Sequence, residues 1–304
     1  MTMNLRDLQY FAVVAEHKHL GRAAESLDMS QPALSMSLRR LEGFLHTKLV
    51  KRTPKGVDLT ATGEAVYAHA RRLRLSVDDI SREVADISQG RSGLLRIGAN
   101  ARLAVDLLPA ACRALLIDAP QVTLKFNLGE TNRGAPALSR GELDLYLTAN
   151  TLSGHDDLVQ EPLFEEEWVV VASARHRLAR KKHLTLADLV QERWILGLYG
   201  PAQDDLFRAF AESGLPTPRI AVEVNAMLFR RQLLSSTDLL TYGPRQFFRE
   251  GASRTGVAEL PLKGLSSRRS VSACYRKDAY LSPLVRRFIE ILKNVSREIA
   301  KTDR

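Results

Sequence analysis

The sequence AAESLDMSQPALSMSLRRLE, residues 23–42, contains two short helical patterns separated by a few polar residues. In the second pattern, leucines recur at the three- and four-residue spacing of one helix face: Leu34, Leu38 and Leu41. Ser30 belongs to the residue types that cap helix N-termini, and Pro32 is tolerated in a first helical turn. The stretch therefore predicts a helix over about 20–27, a tight turn, and a further helix over about 31–44.

An amphipathic helix precedes this stretch, and a basic hairpin follows it. Apolar residues recur at helical spacing over about 5–16, which predicts one more helix. The segment KRTPKG, residues 51–56, predicts a turn between two short strands. Three helices followed by a hairpin are typical of a winged helix-turn-helix domain, which we assign to residues 1–60.

Positive charge is concentrated in the part of this domain that spans residues 39–55. The 304-residue chain has a net charge of +9, but residues 1–90 contribute only 13 basic against 11 acidic residues. Within 39–55 a single acid, Glu42, accompanies six basic residues: Arg39, Arg40, Lys48, Lys51, Arg52 and Lys55. This pattern favours DNA binding, because a helix in the major groove reads base edges while flanking cations neutralise phosphates. The alternative is a solvated surface helix and hairpin.

Several motifs together resemble the LysR-type transcriptional regulators. In the N-terminal half they are AAESL (23–27), SQPALS (30–35), RRLE (39–42) and the segment from RT (52–53) through KG (55–56) to LTATG (59–63). In the second half they are PLFEEE (162–167) with His176, and GELDL (141–145). The resemblance covers essentially the whole chain, and its N-terminal motif is the more specific part.

The resemblance implies roles in DNA binding for individual residues. Gln31, Pro32 and Ser35 match positions that touch bases or adjoining phosphates, and Arg52 matches a wing arginine that enters the minor groove. Met36 stands where many members carry a polar or basic side chain, so it either contacts a thymine methyl or contacts nothing. The predicted DNA-binding residues are Ser30, Gln31, Pro32, Ser35, Met36, Arg39, Arg40, Arg52, Thr53 and Lys55.

Residues 61–88 have the clearest periodicity in the chain, with two interleaved apolar series that each repeat every seven residues. Such a seam is typical of a two-helix coiled coil, here in a linker helix roughly 40 Å long at 1.5 Å per residue. The predicted dimerisation residues are Val66, Leu73, Val77, Ile80, Val84 and Ile87. The alternative is packing of the helix on its own domain. The resemblance implies a dimer and usually a dimer of dimers.

Strand and helix patterns alternate over residues 91–304, after a polar, glycine-rich linker at 88–93. They predict an α/β effector domain with a mostly parallel sheet and helices on both faces. We expect two lobes, as in periplasmic binding proteins. Lobe I would contain about 91–161 and 269–304, and lobe II about 162–268.

Polar side chains follow several predicted strands and open the next helices, where free N–H groups favour a carboxylate. Ligands of open α/β sheets bind beyond the carboxyl ends of the strands, and the resemblance places an inducer in the cleft between the lobes. The predicted effector-binding residues are Asn100, Ala101, Arg102, Thr131, Thr148, Tyr199, Asn225 and Met227. The alternative is that the Thr and Asn residues only cap helices. Arg102 either clamps an organic acid or pairs with Asp106.

The expected partners are double-stranded DNA with interrupted dyad symmetry, a small-molecule effector, further copies of the chain and RNA polymerase. The chain contains no catalytic motif, and its seven histidines have no metal-ligand spacing, so we expect neither an enzyme nor a cofactor or metal. Without an apolar run of membrane-spanning length or a secretory leader pattern, we expect it in the cytoplasm, with no membrane partner.

Three other interpretations stay open from the sequence. Cys112 and Cys274 could act as redox sensors, although their apolar surroundings favour inert thiols. A solute-binding transport protein would have the two lobes, but it would need an export signal and no residues 1–88. A sequence-tolerant DNA-packaging protein would use the basic domain but not a ligand module of about 200 residues.

Overall fold

The computed structural model describes residues 3–89, 93–100, 103–105, 107–129, 131–198, 200–249, 256–262 and 265–302. The chain forms two compact units, Met1–Ser88 and Gln89–Arg304. None of the helices in these described ranges has both the length and the hydrophobicity that crossing a bilayer requires.

The first unit contains three short helices, a hairpin and a long helix. Its elements are α1 (Leu5–His17), α2 (Leu20–Ser26), α3 (Gln31–Leu45), β1 (Val50–Thr53), β2 (Gly56–Leu59) and α4 (Ala61–Gln89). The two strands of the hairpin pair antiparallel. As predicted, Ser30 caps α3, and its Oγ accepts a hydrogen bond from the N–H of Ala33 at 3.3 Å.

Apolar side chains from all three short helices form the core of this unit. Leu34, Leu38 and Leu41 are buried along the inner face of α3, as the leucine spacing predicts. Phe11 contributes the largest buried side chain of α1. Ala23 of α2 is buried in the same unit, where a small side chain lets two helices approach closely. The periodicity of the sequence therefore places α3 with its polar face outward.

A buried carboxylate joins α1 to α3. Asp7 accepts hydrogen bonds from Arg40 Nε at 3.1 Å and Arg40 Nη2 at 2.7 Å, and a third from the hydroxyl of Ser37. Burial alone would raise the pKa of Asp7, but the hydrogen bonds from Arg40 and Ser37 outweigh it and lower the pKa below its usual value. The ionised carboxylate therefore stabilises the position of α3.

The second unit is built on one sheet of nine strands. Its strands are β3 (Leu94–Ala99), β4 (Thr123–Leu128), β5 (Leu145–Thr148), β6 (Leu158–Ser173), β7 (Arg193–Leu196), β8 (Arg219–Glu223), β9 (Leu240–Pro244), β10 (Val257–Glu259) and β11 (Ser267–Arg276). Its helices are α5 (Leu107–Asp118), α6 (Thr131–Ser139), α7 (Pro201–Glu212), α8 (Met227–Ser235), α9 (Arg245–Arg249) and α10 (Pro283–Thr302), with 3-10 turns at Arg177–Arg180 and Leu186–Leu189. The strand order is β4-β3-β5-β11-β6-β9-β7-β8, and β10 pairs with β6.

The sheet is mixed, so the prediction of a mostly parallel sheet was wrong. β3 pairs parallel with β4 and β5, and β7 pairs parallel with β8 and β9. The antiparallel pairs all involve β6 or β11, which pair with each other and with β5, β9 and β10. These two long strands run in opposite directions along the middle of the sheet, which the strand-and-helix alternation of the sequence did not reveal.

The apolar cores of this unit lie at the two ends of β6 and β11. One core is formed by β3, β5, α5 and α10, and it includes Val271 from β11. The other cores lie on the two faces of the sheet around β7 and β9 and include Val169 and Val170 from β6. α5 begins at Leu107, after a turn at 103–105. The lobe boundaries stay a prediction.

Replacing Asp7 by Asn should loosen the contact between α1 and α3, because the amide keeps the shape of the side chain but removes its charge. We expect amide exchange of peptides covering α1 and α3 in the full chain to accelerate roughly tenfold or more at pH 7. Hydrogen–deuterium exchange with mass spectrometry measures this ratio of variant to wild type.

The ratio should also fall toward one below about pH 4. A carboxyl whose pKa is lowered in the folded state contributes stability above its unfolded pKa and loses it as the pH falls through the folded value. Asp58→Asn, which changes an exposed acid of β2, is the matched control and should leave exchange unchanged. Equal exchange in the two variants at pH 7 would contradict this role of Asp7.

Candidate nucleic-acid interface and effector region

The outer face of α3 presents a mixed polar and apolar surface. Gln31, Pro32, Met36 and Arg39 are exposed, and Ser35 is half-buried beside them. Met36 has 58% of its surface exposed, although it is a large apolar residue. An exposed methionine on a helix that is otherwise well packed is free to make an apolar contact with a partner.

The two adjacent arginines at the middle of α3 differ in what they bind. Arg40 is exposed along its side chain, but its guanidinium is committed to Asp7 through two hydrogen bonds. Arg39 has no hydrogen-bond or ion-pair partner among the residues that the structure describes. A count of charges in the sequence does not distinguish Arg39 from Arg40. The structure leaves Arg39 as the arginine whose donors are available to a ligand, while Arg40 also positions α3.

A second buried carboxylate holds the start of the hairpin against α3. Glu42 accepts hydrogen bonds from Lys48 Nζ at 2.7 Å and from the backbone N–H of Leu49 at 2.9 Å. From the sequence alone, Glu42 only lowers the net positive charge of residues 39–55. Its actual contacts neutralise Lys48 and fix the point where the hairpin leaves the helix.

The hairpin is also anchored at its tip, close to its basic side chains. The N–H of Val57 donates to the carbonyl of Lys18 at 2.9 Å. Gly56 has φ of 139°, and a Cβ at this position would lie 2.2 Å from the same carbonyl oxygen, so only glycine fits.

The basic side chains of the hairpin point away from these anchors. Lys51, Arg52 and Lys55 are exposed, and within the described ranges they have no ion-pair or hydrogen-bond partner. Thr53 is half-buried at the end of β1. The first unit therefore places a free arginine on α3 and three free cations on a rigidly attached hairpin.

The predicted dimerisation seam divides into two parts along α4. Val66 and Ala70 pack against the core of the first unit itself. Four later residues of the seam remain between 37% and 60% exposed: Leu73, Val77, Ile80 and Val84. The side chain of Ile87 lies outside the described residues. Packing of α4 against the first unit therefore accounts for the apolar residues at the start of the seam. It does not account for the exposed apolar residues that follow.

Three of the predicted effector-binding side chains accept hydrogen bonds from backbone N–H groups. Asn100 Oδ1 accepts from the N–H of Leu103 at 3.2 Å. Thr148 Oγ1 accepts from the N–H of Asn150 at 3.1 Å. Asn225 Oδ1 accepts from the N–H of Leu198 at 3.0 Å, which ties together the segments after β7 and β8.

Because these contacts hold turns and loops and not helix starts, they do not bear out the capping alternative, and effector binding by these residues stays a prediction. Met227 starts α8 and packs partly against the core of this region. Ala101, Arg102 and Tyr199 lie outside the described residues, as does the side chain of Thr131, which begins α6.

The motifs of the second half mainly have structural roles. Asp144 of GELDL binds Arg96 of β3 through a bidentate contact, with Arg96 Nη2 2.7 Å and Nε 3.1 Å from its two oxygens. His176 is buried; its Nδ1 accepts from the N–H of Leu178 at 3.2 Å, and its Nε2 lies 3.4 Å from Glu192. Nothing in the local sequence spacing identifies Arg96 as the partner of Asp144 or Glu192 as the neighbour of His176, because each pair is far apart along the chain.

Neither cysteine has the surroundings of a reactive thiol. Cys274 is completely buried in β11, and burial raises its pKa to about 12. Burial also raises the pKa of Cys112, which is half-buried on α5. Among the described residues, no group of three or more His, Cys, Asp or Glu side chains is placed to bind a metal ion.

Both halves of the chain match known families. Residues 5–64 match the family described as bacterial regulatory helix-turn-helix protein, lysR family, and residues 88–297 match the LysR substrate binding domain. The chain is 32% identical over 286 residues to the SDS degradation transcriptional activation protein of Pseudomonas sp. (strain ATCC 19151), covering 92% of each chain. It is 26% identical to the DNA-binding transcriptional dual regulator OxyR of Escherichia coli K12, covering 96% of this chain and 95% of OxyR.

Solved structures of full-length regulators share the fold. A full-length OxyR variant from Pseudomonas aeruginosa superposes with a TM-score of 0.66 and 27% identity, covering 98% of this chain and 95% of that one. CbnR complexed with its target DNA superposes with a TM-score of 0.60 and 23% identity, covering 96% of this chain and 100% of CbnR. The chain therefore belongs to the LysR family of bacterial helix-turn-helix transcriptional regulators, with a substrate-binding domain in its second half.

Proposed function

We propose that α3 enters the major groove of an operator and that the hairpin contacts the flanking minor groove and phosphates. The observation that carries this proposal is the division of the basic residues into paired and free ones. Asp7 and Glu42 neutralise Arg40 and Lys48, whereas Arg39, Lys51, Arg52 and Lys55 keep their donors for a polyanion.

In this arrangement Gln31, Ser35 and Met36 face base edges, Arg39 and Lys55 bind phosphates, and Arg52 enters the minor groove. Of the other predicted contacts, Ser30 and Pro32 begin α3, and Thr53 ends β1 beside Arg52.

The exposed part of the α4 seam supports pairing of two chains. Leu73, Val77, Ile80 and Val84 follow the alternating three- and four-residue spacing of a coiled coil, and water does not stabilise such an apolar stripe on a lone helix. Pairing two copies along this seam would present two α3 helices to the two halves of a dyad-symmetric operator.

A second contact between copies would build a dimer of dimers. β4 is an edge strand of the sheet and exposes Phe126 and Leu128, and the adjoining α5 exposes 77% of Ile117. Uncovered sheet edges with apolar side chains favour association with a further chain. This surface is independent of the α4 seam.

The effector domain would convert ligand binding into a change of operator binding. A small organic acid between the two lobes would change their relative position and, through the paired chains, the spacing of the DNA-binding units. The change in DNA bend would alter the access of RNA polymerase to the promoter. Such a shift requires that the acid binds one conformation more tightly than the other. We place this activity in the cytoplasm, where the operator is.

Footprinting tests the DNA contacts directly. Genomic fragments retained by the purified full chain should show discrete protected half-sites that survive moderate salt. Arg39→Ala should weaken binding and lower the slope of log affinity against log salt by about one, because one phosphate contact is lost. Amide exchange of α1 and α3 should stay unchanged in this variant.

Two matched variants complete this experiment. Arg40→Ala should accelerate amide exchange of α1 and α3, because it removes the partner of Asp7. Arg208→Ala removes an exposed positive charge from α7 in the other unit and should leave the salt slope unchanged. Uniform protection of all fragments would instead indicate a packaging protein and would refute the proposed operator binding.

Replacing both Leu73 and Ile80 by Asp should separate the α4 pair, because two carboxylates would face each other across the seam. We expect the mass measured by sedimentation equilibrium to halve and tight operator binding to be lost. Arg72→Asp places a carboxylate on the outer face of α4 instead and should keep the wild-type mass. A double variant with unchanged mass would show that α4 does not pair.

Peroxide should not alter operator binding, although two relatives compared above are OxyR proteins. The thiolate is the reactive form of cysteine, and burial disfavours it at both Cys112 and Cys274. We expect equal affinities before and after peroxide treatment in a gel-shift titration. An effect of peroxide that disappears in Cys112→Ser would instead show that this thiol senses oxidation.

A further inference from the structure

Arg230 is a buried cation on the core-facing side of α8. Only 7% of the residue is exposed, and it lies one helical turn from Met227 and one from Leu234, which both pack into the apolar core beneath α8. Its Nε is buried without a hydrogen-bond partner, and no described residue forms an ion pair with its guanidinium. Burial lowers the pKa of Arg230 to about 10, with no acidic neighbour to oppose the change.

Burying Arg230 without an ion-pair partner among the described residues destabilises the folded chain. The next residue, Arg231, differs because its guanidinium has partners. A buried charge without a counterion loses its hydration and receives nothing in return, so buried arginines in proteins are normally paired. Arg231 is satisfied: its Nη1 donates to the carbonyl of Phe247 at 3.2 Å, and its guanidinium lies 4.8 Å from the centre of the Phe247 ring. Arg231 therefore has a structural role, whereas the contacts within the chain do not account for Arg230.

The N-terminus of α8, close to Arg230 in the sequence, has no side-chain cap. The residue at its N-cap is Ala226, and no side chain accepts from the first-turn N–H groups. Asn225, which could have served, accepts instead from Leu198. Because helical side chains lean toward the N-terminus of their helix, a side chain at position 230 extends over this first turn. The first-turn N–H groups carry the positive end of the helix dipole, and Arg230 follows them within one helical turn.

We propose that Arg230 and the first-turn N–H groups of α8 bind the carboxylate of a small organic acid with an apolar body. The inference rests on the proposed function in one respect, since it takes this acid to be the effector. A guanidinium binds a carboxylate through two parallel hydrogen bonds. The apolar body of the acid would contact the side chains of the first turn, where Met227 is half-buried and Leu228 and Phe229 are more than half exposed. The bound acid would supply the counterion that Arg230 lacks among the described residues.

Thermal unfolding of the full chain with a panel of acids at fixed ionic strength tests this site. The panel contains acetate, hexanoate, benzoate and succinate, with sodium chloride as the reference and benzamide as a neutral analogue of benzoate. We expect at least one carboxylate, and not benzamide, to raise the Tm of wild type. In Arg230→Met the shift should be lost, and calorimetry should show that acid's affinity weakened roughly tenfold or more. Without any acid, Arg230→Met should unfold at or above the wild-type Tm, because it removes an unpaired buried charge.

Arg231→Met is the matched control, one residue away and also losing a positive charge. It should lower the Tm, because it breaks the contacts with Phe247, and it should keep the shift with the acid. The proposal is overturned if no acid of the panel shifts wild type, or if Arg230→Met keeps the full shift. Footprinting without added acid is independent of this result, so a failure here leaves the proposed operator binding standing.

Discussion

Two buried carboxylates determine which charges of the N-terminal unit are available to DNA. Asp7 joins α1 to α3 through Ser37 and Arg40, and Glu42 joins α3 to the start of the hairpin through Lys48 and the N–H of Leu49. Asp7 neutralises Arg40 and holds α3, which also carries Arg39. Glu42 neutralises Lys48 and holds the hairpin, which carries further basic residues. A helix that reads base edges must be held rigidly, because a bidentate contact with a base tolerates little displacement. In the operator binding that we propose, Asp7 and Glu42 would contribute to DNA recognition by positioning α3 and the hairpin.

The second unit depends on a different constraint, the antiparallel pairing of β6 with β11. β6 contributes Leu163 and Phe164 to one apolar core and Val170 and Ala172 to another, whereas β11 contributes Val271 and Ala273 to the first. The two strands pair over most of their length, so the two parts of the unit share one continuous sheet. A register shift between Val271 and Ser272 interrupts this pairing. Irregular pairing bends a strand and increases its local twist.

The local patterns of the sequence predicted the helices of the first unit well. They did not predict contacts between residues that are far apart along the chain. The spacing of Leu34, Leu38 and Leu41 identified the buried face of α3, and Ser30 identified where the helix begins. The same reasoning treated Arg39 and Arg40 alike, because the partner of Arg40 lies 33 residues away on α1. In the second unit it predicted a mostly parallel sheet, since alternating strands and helices do not show that β6 and β11 return antiparallel. The oxygens of Asn100, Thr148 and Asn225 accept backbone hydrogen bonds that the sequence did not reveal, and their predicted binding of a ligand stays a prediction.

The sequence by itself determined the order of helices and strands, the basic segment at 39–55 and the family to which the chain belongs. These properties depend on residue types at short spacing, and a helix or a turn forms through contacts within a few residues. Only the tertiary structure decided which cations lack a partner among the described residues, Arg230 included, and which part of the α4 seam is exposed. Burial and ion pairing depend on side chains that approach from distant parts of the chain, and their distances cannot be obtained from spacing along the sequence.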